Sequence, residues 1–199
     1  MTRITDGRAF PRPVLKRKSR PRELLNLLFF FVAVYALLEM AAPRSVVLSI
    51  SMQPNLIEGQ RLLISRVNYM FSKPQRGDIV VFEPNGYTPD EDRLIKRLIG
   101  LPGEKIEFRH QSVYINGKEL SEPYLNEPCE ELYCPDKSWS LGSDEYFFMG
   151  DNRNHSRDSR AFGAIKRKQI VGRAIVRWWP PAKWGVLSYN YGETGASSP

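Results

Sequence analysis

Three short segments of this 199-residue chain carry side chains that could act together chemically. The first reads Ser49-Ile50-Ser51-Met52-Gln53-Pro54. A proline three residues past Ser51 favours a bend over a continuing central strand, and a hydroxyl at such a strand end can face a substrate. The second holds Lys96 in Arg93-Leu94-Ile95-Lys96-Arg97-Leu98-Ile99-Gly100. Strand alternation puts Lys96 on one face with Leu94 and Leu98, and Arg97 on the other with Ile95 and Ile99. A lysine among apolar neighbours either snorkels at a sheet edge or is desolvated, and desolvation favours the neutral amine. The third, residues 150–160, packs Asp151, Arg153, His155, Ser156, Arg157, Asp158 and Arg160 into eleven positions. Such charge density is tolerated in a folded domain only when the charges are paired. A calcium loop is a poor fit, because three arginines offset two carboxylates and no Asp-x-Asp-x-Asp spacing occurs.

The chemistry these residues allow is acyl transfer. A serine hydroxyl attacks a carbonyl carbon once a base takes its proton, and a lysine is a base only when neutral. An ordinary amine is roughly one part in a thousand neutral near pH 7 to 8, so burial must lower its pKa by about 2 to 3 units, about 3 to 4 kcal/mol. This chemistry requires no metal and no cofactor.

The lysine strand is followed by Gly100-Leu101-Pro102-Gly103, completing Lys-Arg-x-x-Gly-x-Pro-Gly. Together with Ser-Met-x-Pro at Ser51 and Gly-Asp-Asn-Arg-x-x-Ser-x-Asp-Ser-Arg from Gly150 to Arg160, and in the same order, the chain resembles bacterial and organellar type I signal peptidases. These enzymes cut the leader off exported proteins. The resemblance, over about Leu24 to Trp178, implies that Ser51 is the nucleophile and Lys96 the general base. It implies that Ser49 and the Ser51 N–H form the oxyanion hole, and that Ser156 hydrogen-bonds and orients the lysine amine. Asp158 and Arg160 match an ion pair that shapes the site, with Asp151, Arg153 and Arg97 as supporting polar structure. The family's small pockets, for residues at −1 and −3, would be lined by Val47, Met52, Leu56, Leu94 and Ile95. Two departures, Ile50 between the serines and Asn55 where threonine is usual, bear on the shape of that pocket. The implied partners are precursors bearing signal peptides, whose extended segment would add as a strand between the Ser51 segment and the Lys96 strand.

These side chains need elements to hold them. The net charge is +7, but residues 1–23 carry eight Lys/Arg against Asp6 and Glu23, 8 − 2 = +6, so the rest of the chain is nearly neutral at 7 − 6 = +1. The charge is therefore a flank rather than a nucleic-acid surface. Residues 24–42 are apolar apart from Asn26 and Glu39, and as a helix would span about 28 Å, close to a bilayer's hydrocarbon thickness. Met40 or Glu39 would fall at −3 of a cleavable leader, against the small-x-small rule, which favours an uncleaved anchor. A basic tail (1–23) is expected in the cytoplasm, a transmembrane anchor at 24–42, a peptidase domain at 43–187 across the membrane, and a flexible tail at 188–199. The membrane is a plasma membrane or a thylakoid.

The expected fold is mostly β: one transmembrane helix followed by an antiparallel, signal-peptidase-like catalytic domain. Candidate strands are 45–50, 60–65, 78–83, 94–99, 105–109, 112–115, 146–149 and 172–178, with Asn116-Gly117 turning 112–115 back onto 118–120. Residues 84–92 and 122–139 read as surface loops, and 166–170 as a turn. Cys129 and Cys134, five apart, form either a loop disulfide or two free thiols. Rival readings pair Ser51 with His155 and Asp158 as a triad, or make the domain a tethered binder using Trp178, Trp179 and Trp184. A self-cleaving repressor shares the Ser-Lys pair but needs a helix-turn-helix where this chain has its apolar span.

Overall fold

The computed structural model describes residues 20–187; residues 1–19 of the expected basic tail and the expected C-terminal tail lie outside that range. The chain divides into one unit ending at Leu37 and a second beginning at Leu38. Helix α1 (Arg20–Ala41) begins four residues before the expected span. Pro21 is compatible with a first helical turn, where a missing N–H costs nothing. Pro43 ends the helix by disfavouring helical geometry in the residue before it. The stretch Pro21–Ala41 is a candidate membrane span, with Leu24, Phe29, Phe31 and Leu38 all exposed. A helix that is apolar all round needs an apolar medium. Glu39, its late carboxylate, is paired with Arg44.

The second unit is built from antiparallel strands, as expected. In chain order they are β1 (Arg44–Val46), β2 (Arg61–Ser65), β3 (Ile79–Phe82), β4 (Leu94–Gly100), β5 (Lys105–Arg109), β6 (Ser112–Ile115), β7 (Lys118–Glu119) and β8 (Lys137–Ser140), followed by β9 (Glu145–Met149), β10 (Ile165–Lys166), β11 (Ile170–Trp179) and β12 (Gly185–Val186). Two one-turn helices, α2 (Asn68–Phe71) and α3 (Ser159–Phe162), interrupt them. The larger sheet runs β1-β2-β11-β3-β4-β9-β10, with β12 on β11; the smaller runs β7-β6-β5-β8. Asn116 and Gly117 both have positive φ, as a tight hairpin turn demands, and join β6 to β7.

Three buried clusters form the core. One holds Ile99, Ile106, Phe108, Phe147 and Met149; a second holds Val47, Met52, Leu56, Leu62, Ile64 and Ala174; a third holds Val80, Phe82, Leu98, Phe148 and Ile165. Strand β4 divides them: Leu98 joins the third cluster and Ile99 the first, as alternation requires. The buried four-residue run of β3 is consistent with a central strand covered on both faces.

Several elements differ from expectation, three of them near the site or at a sheet boundary. The strand expected over 45–50 stops at Val46, and Ile50–Met52 form a 3₁₀ turn because the Ser49 hydroxyl caps the Ser51 N–H. The loop expected over 122–139 ends in β8, whose pairing of Trp139 with Ile106 and Ser140 with Lys105 is set by distant β5. Strand β11 runs longer than 172–178 and bends through bulges against β2. At Gly172 a side chain would come within 2.6 Å of the Ser65 carbonyl oxygen, so only glycine lets these strands approach.

Candidate active site

The site forms where β9 runs out. Met149 is the last β9 residue and pairs with Arg97, so Leu94, Ile95 and Lys96 are laddered to β3 alone and the chain from Gly150 onward is free to turn. Residues 150–160 fold into this place beside the 3₁₀ turn that carries Ser51. Asn152 N–H donates to the Ser51 carbonyl at 3.0 Å, fastening the two segments. Gly150 makes the approach possible: a Cβ there would lie 2.5 Å from the Ser51 carbonyl oxygen and 2.3 Å from Ser156 Oγ.

Ser51 and Lys96, 45 residues apart in sequence, meet with Lys96 Nζ 2.7 Å from Ser51 Oγ. The amine also donates to the Ile95 carbonyl at 3.1 Å. Both residues are buried, Lys96 at 3% exposure. Burial pushes the Lys96 pKa down to about 8; the carboxylates of Asp158 and Asp151 work against that fall, and Arg160 assists it. Ser49 is the N-cap of the turn, and its Oγ accepts from the Ser51 N–H at 3.2 Å. A hydroxyl and a backbone N–H therefore sit together beside the candidate nucleophile.

The charged loop is paired throughout its buried part. Asp158 caps α3, grips Arg160 at 2.8 and 2.9 Å, and accepts from Gly150 N–H at 3.0 Å. Burial opposes a charge on Asp158, but these partners outweigh it and hold the carboxyl below its ordinary range. Asp151 takes two bonds from Arg97, at 2.6 and 2.7 Å, with both side chains fully buried. Arg153 forms a similar fork on Glu122, and Arg97 also lies 4.1 Å from the centre of the Tyr124 ring. Cys129 and Cys134 are disulfide-bonded, and Arg160 Nη1 lies 3.1 Å from Cys134 Sγ.

Two sequence expectations are corrected by these contacts. Ser156 does not hydrogen-bond the lysine amine, which is satisfied by Ser51 and Ile95; the Ser156 hydroxyl lies against Gly150 and helps hold the Asp158 carboxylate. Of the five pocket candidates, Val47, Met52, Leu56 and Ile95 share one apolar cluster, but Leu94 packs against the cluster of Val80 and Leu98 instead. Leu94 and Ile95 are strand neighbours, so they point to opposite faces. Asn55, noted in the sequence only as a departure, bridges the Ser51 segment to the Tyr124 carbonyl and to Asp151, each at 2.9 Å. Its signal was a small amide beside a proline, which is common in turns and so carries little information. His155 is exposed, its ring 6.3 Å from that of Tyr133. Trp178 is partly buried, whereas Trp179 and Trp184 are exposed.

Fold and site together define an antiparallel β domain that carries a buried serine–lysine pair and follows one apolar helix. The family model described as signal peptidase, peptidase S26 matches residues 22–179, and the chain belongs to that family. A probable signal peptidase I-2 of Synechocystis sp. is 41% identical over 143 residues, covering 70% of this chain; the aligned part spans 64% of that relative's length. Signal peptidase IB of Staphylococcus aureus is 35% identical over 156 residues, covering 71% of this chain and 78% of the relative. A crystal structure of a signal peptidase I from Enterococcus faecalis is 40% identical, covers 51% of this chain and 97% of its own, and superposes with a TM-score of 0.45.

Proposed function

We propose that the chain is a membrane-anchored serine endopeptidase that removes N-terminal signal peptides from exported precursors. The observation that carries this reading is the 2.7 Å contact between Ser51 Oγ and a buried lysine amine whose pKa lies near 8. In its neutral form Lys96 takes the Ser51 proton as Oγ bonds to the scissile carbonyl carbon. Negative charge then builds on the carbonyl oxygen, which accepts from the Ser51 N–H and from the Ser49 hydroxyl once that hydroxyl turns from cap acceptor to donor. The Lys96 ammonium returns its proton to the leaving amine, which becomes the new N-terminus. Water, deprotonated by the same lysine, then attacks the serine ester; the acyl C–Oγ bond breaks, Ser51 Oγ takes that proton back from Lys96, and the leader leaves with a free carboxyl group. Asp158 with Arg160, and Asp151 with Arg97, hold the loop against the Ser51 turn without entering the reaction.

The leader lies as an extended strand along Leu94–Lys96, where β4 has its pairing on one side only. Its −1 and −3 side chains enter the region of Val47, Met52, Leu56 and Ile95, and small residues are preferred because overpacking a closed apolar wall costs about 1 to 3 kcal/mol. The positive flank before Glu23 supports an N-terminus in the cytoplasm and the β domain on the outer or lumenal face of a plasma or thylakoid membrane. Full-length enzyme in detergent should cut a leader peptide with Ala at −1 and −3, with a rate that rises through an alkaline limb near pH 8. Ser51→Ala and Lys96→Ala should both be inactive and His155→Ala active. An active Lys96→Ala beside a dead His155→Ala would assign the base to histidine and end this reading.

A further inference from the structure

A cavity of about 350 Å³ adjoins the Ser51 segment and takes no part in the chemistry above. Gln53 and Pro54, just past Ser51, form part of its wall; Asn126 and Glu127 come from the loop before the disulfide, and Asn152 from the loop after β9. None of the residues of the apolar cluster assigned to −1 and −3 lines it. Asn152 ties the cavity to the candidate nucleophile, since its N–H donates to the Ser51 carbonyl and its Nδ2 to the Ile50 carbonyl at 3.4 Å. That leaves Asn152 Oδ1, a buried acceptor with no partner. Asp151 also lines the cavity, but Arg97 offsets its charge. Glu127 accepts only from the neutral Asn154 amide among its described contacts, at 3.2 Å, so its carboxylate leaves the wall with a net negative charge.

We propose that this cavity receives the side chain of the first or second residue after the scissile bond, and that it selects hydrogen-bond donors, cationic ones foremost, over carboxylates. The proposal rests on the peptidase reading. An extended chain advances about 3.3 Å per residue, so the two residues beyond the cut stay within reach of walls built by Gln53 and Asn152. A donor entering there satisfies Asn152 Oδ1, which otherwise stays buried and unpaired. A carboxylate brings no donor and meets Glu127.

The test uses full-length enzyme in detergent and peptides with Ala at −1 and −3, carrying Ala, Lys or Glu at +1 and, in a second set, at +2. The parent enzyme should favour Lys over Glu in kcat/KM at one of the two positions by about two- to fivefold, the range for one solvent-accessible charge pair. Raising salt from about 50 to about 500 mM should shrink that ratio. Glu127→Gln, which keeps an acceptor for Asn154, should bring the ratio toward one, and Asn126→Lys should invert it. A parent ratio of one at both positions, or a preference that neither variant moves, overturns the subsite while cleavage of the Ala peptide upholds the peptidase. If the parent enzyme leaves the Ala peptide intact, the peptidase reading falls and takes the subsite with it.

Discussion

Replacing Lys96 with methionine keeps the length and the apolar stem but removes the amine, so it measures what burying that amine costs. The folded pKa of about 8 lies below the ordinary 10.5, so between those values the unfolded chain holds more protons than the folded one. Stability contributed by this group therefore rises with pH across the window from 8 to 10.5 and is lowest below 8. Integrating the two titrations gives a penalty of about 3 kcal/mol at pH 7 and about 2 kcal/mol at pH 9, relative to a neutral amine in both states. Any change in packing or hydrogen bonding between lysine and methionine is independent of pH and cancels when the two conditions are compared. Denaturant unfolding of wild type and Lys96→Met, both full length in the same detergent, should show the methionine variant's advantage shrinking by about 1 kcal/mol from pH 7 to pH 9. Other titrating groups cancel in the same comparison. A difference that stays constant, or that grows with pH, would mean that the amine is solvated and that its burial does not make it a base.

Two further outcomes follow from the loop that holds the site. Asp151→Ala removes the carboxylate that offsets the charge of the fully buried Arg97 guanidinium, which should cost about 3 to 5 kcal/mol in unfolding experiments, whereas the same change at the exposed Asp90 should cost less than about 0.5 kcal/mol. In Gly150→Ala the new methyl meets the Ser51 backbone carbonyl as well as the Ser156 side chain, and the carbonyl cannot give way without moving the Ser51 turn; leader-peptide cleavage should fall about a hundredfold while the circular dichroism spectrum stays that of the parent.

Which groups could react was legible from residue type, while their assignment to one site came from the resemblance of the three segments to one family. A serine before a proline turn, a lysine in an apolar strand and a dense run of paired charges can each be recognised by composition and short spacing. The apolar span, the Asn116-Gly117 hairpin and the division of β4 between two faces follow from local periodicity and turn chemistry, which adjacent residues determine. Partners distant in sequence were not legible. That β9 ends opposite Arg97 and so opens a place beside Lys96, that Asn55 reaches Asp151, and that Ser156 lies against Gly150 and away from the lysine amine depend on strand register and packing. Strand β8 lacks an apolar signal of its own and exists because β5 supplies its hydrogen-bond ladder. The sequence by itself determined which groups could react and the strand that carries Lys96. The tertiary structure decided their meeting and the lowered pKa of the amine, because desolvation and a 2.7 Å contact across 45 residues come only from the packed fold.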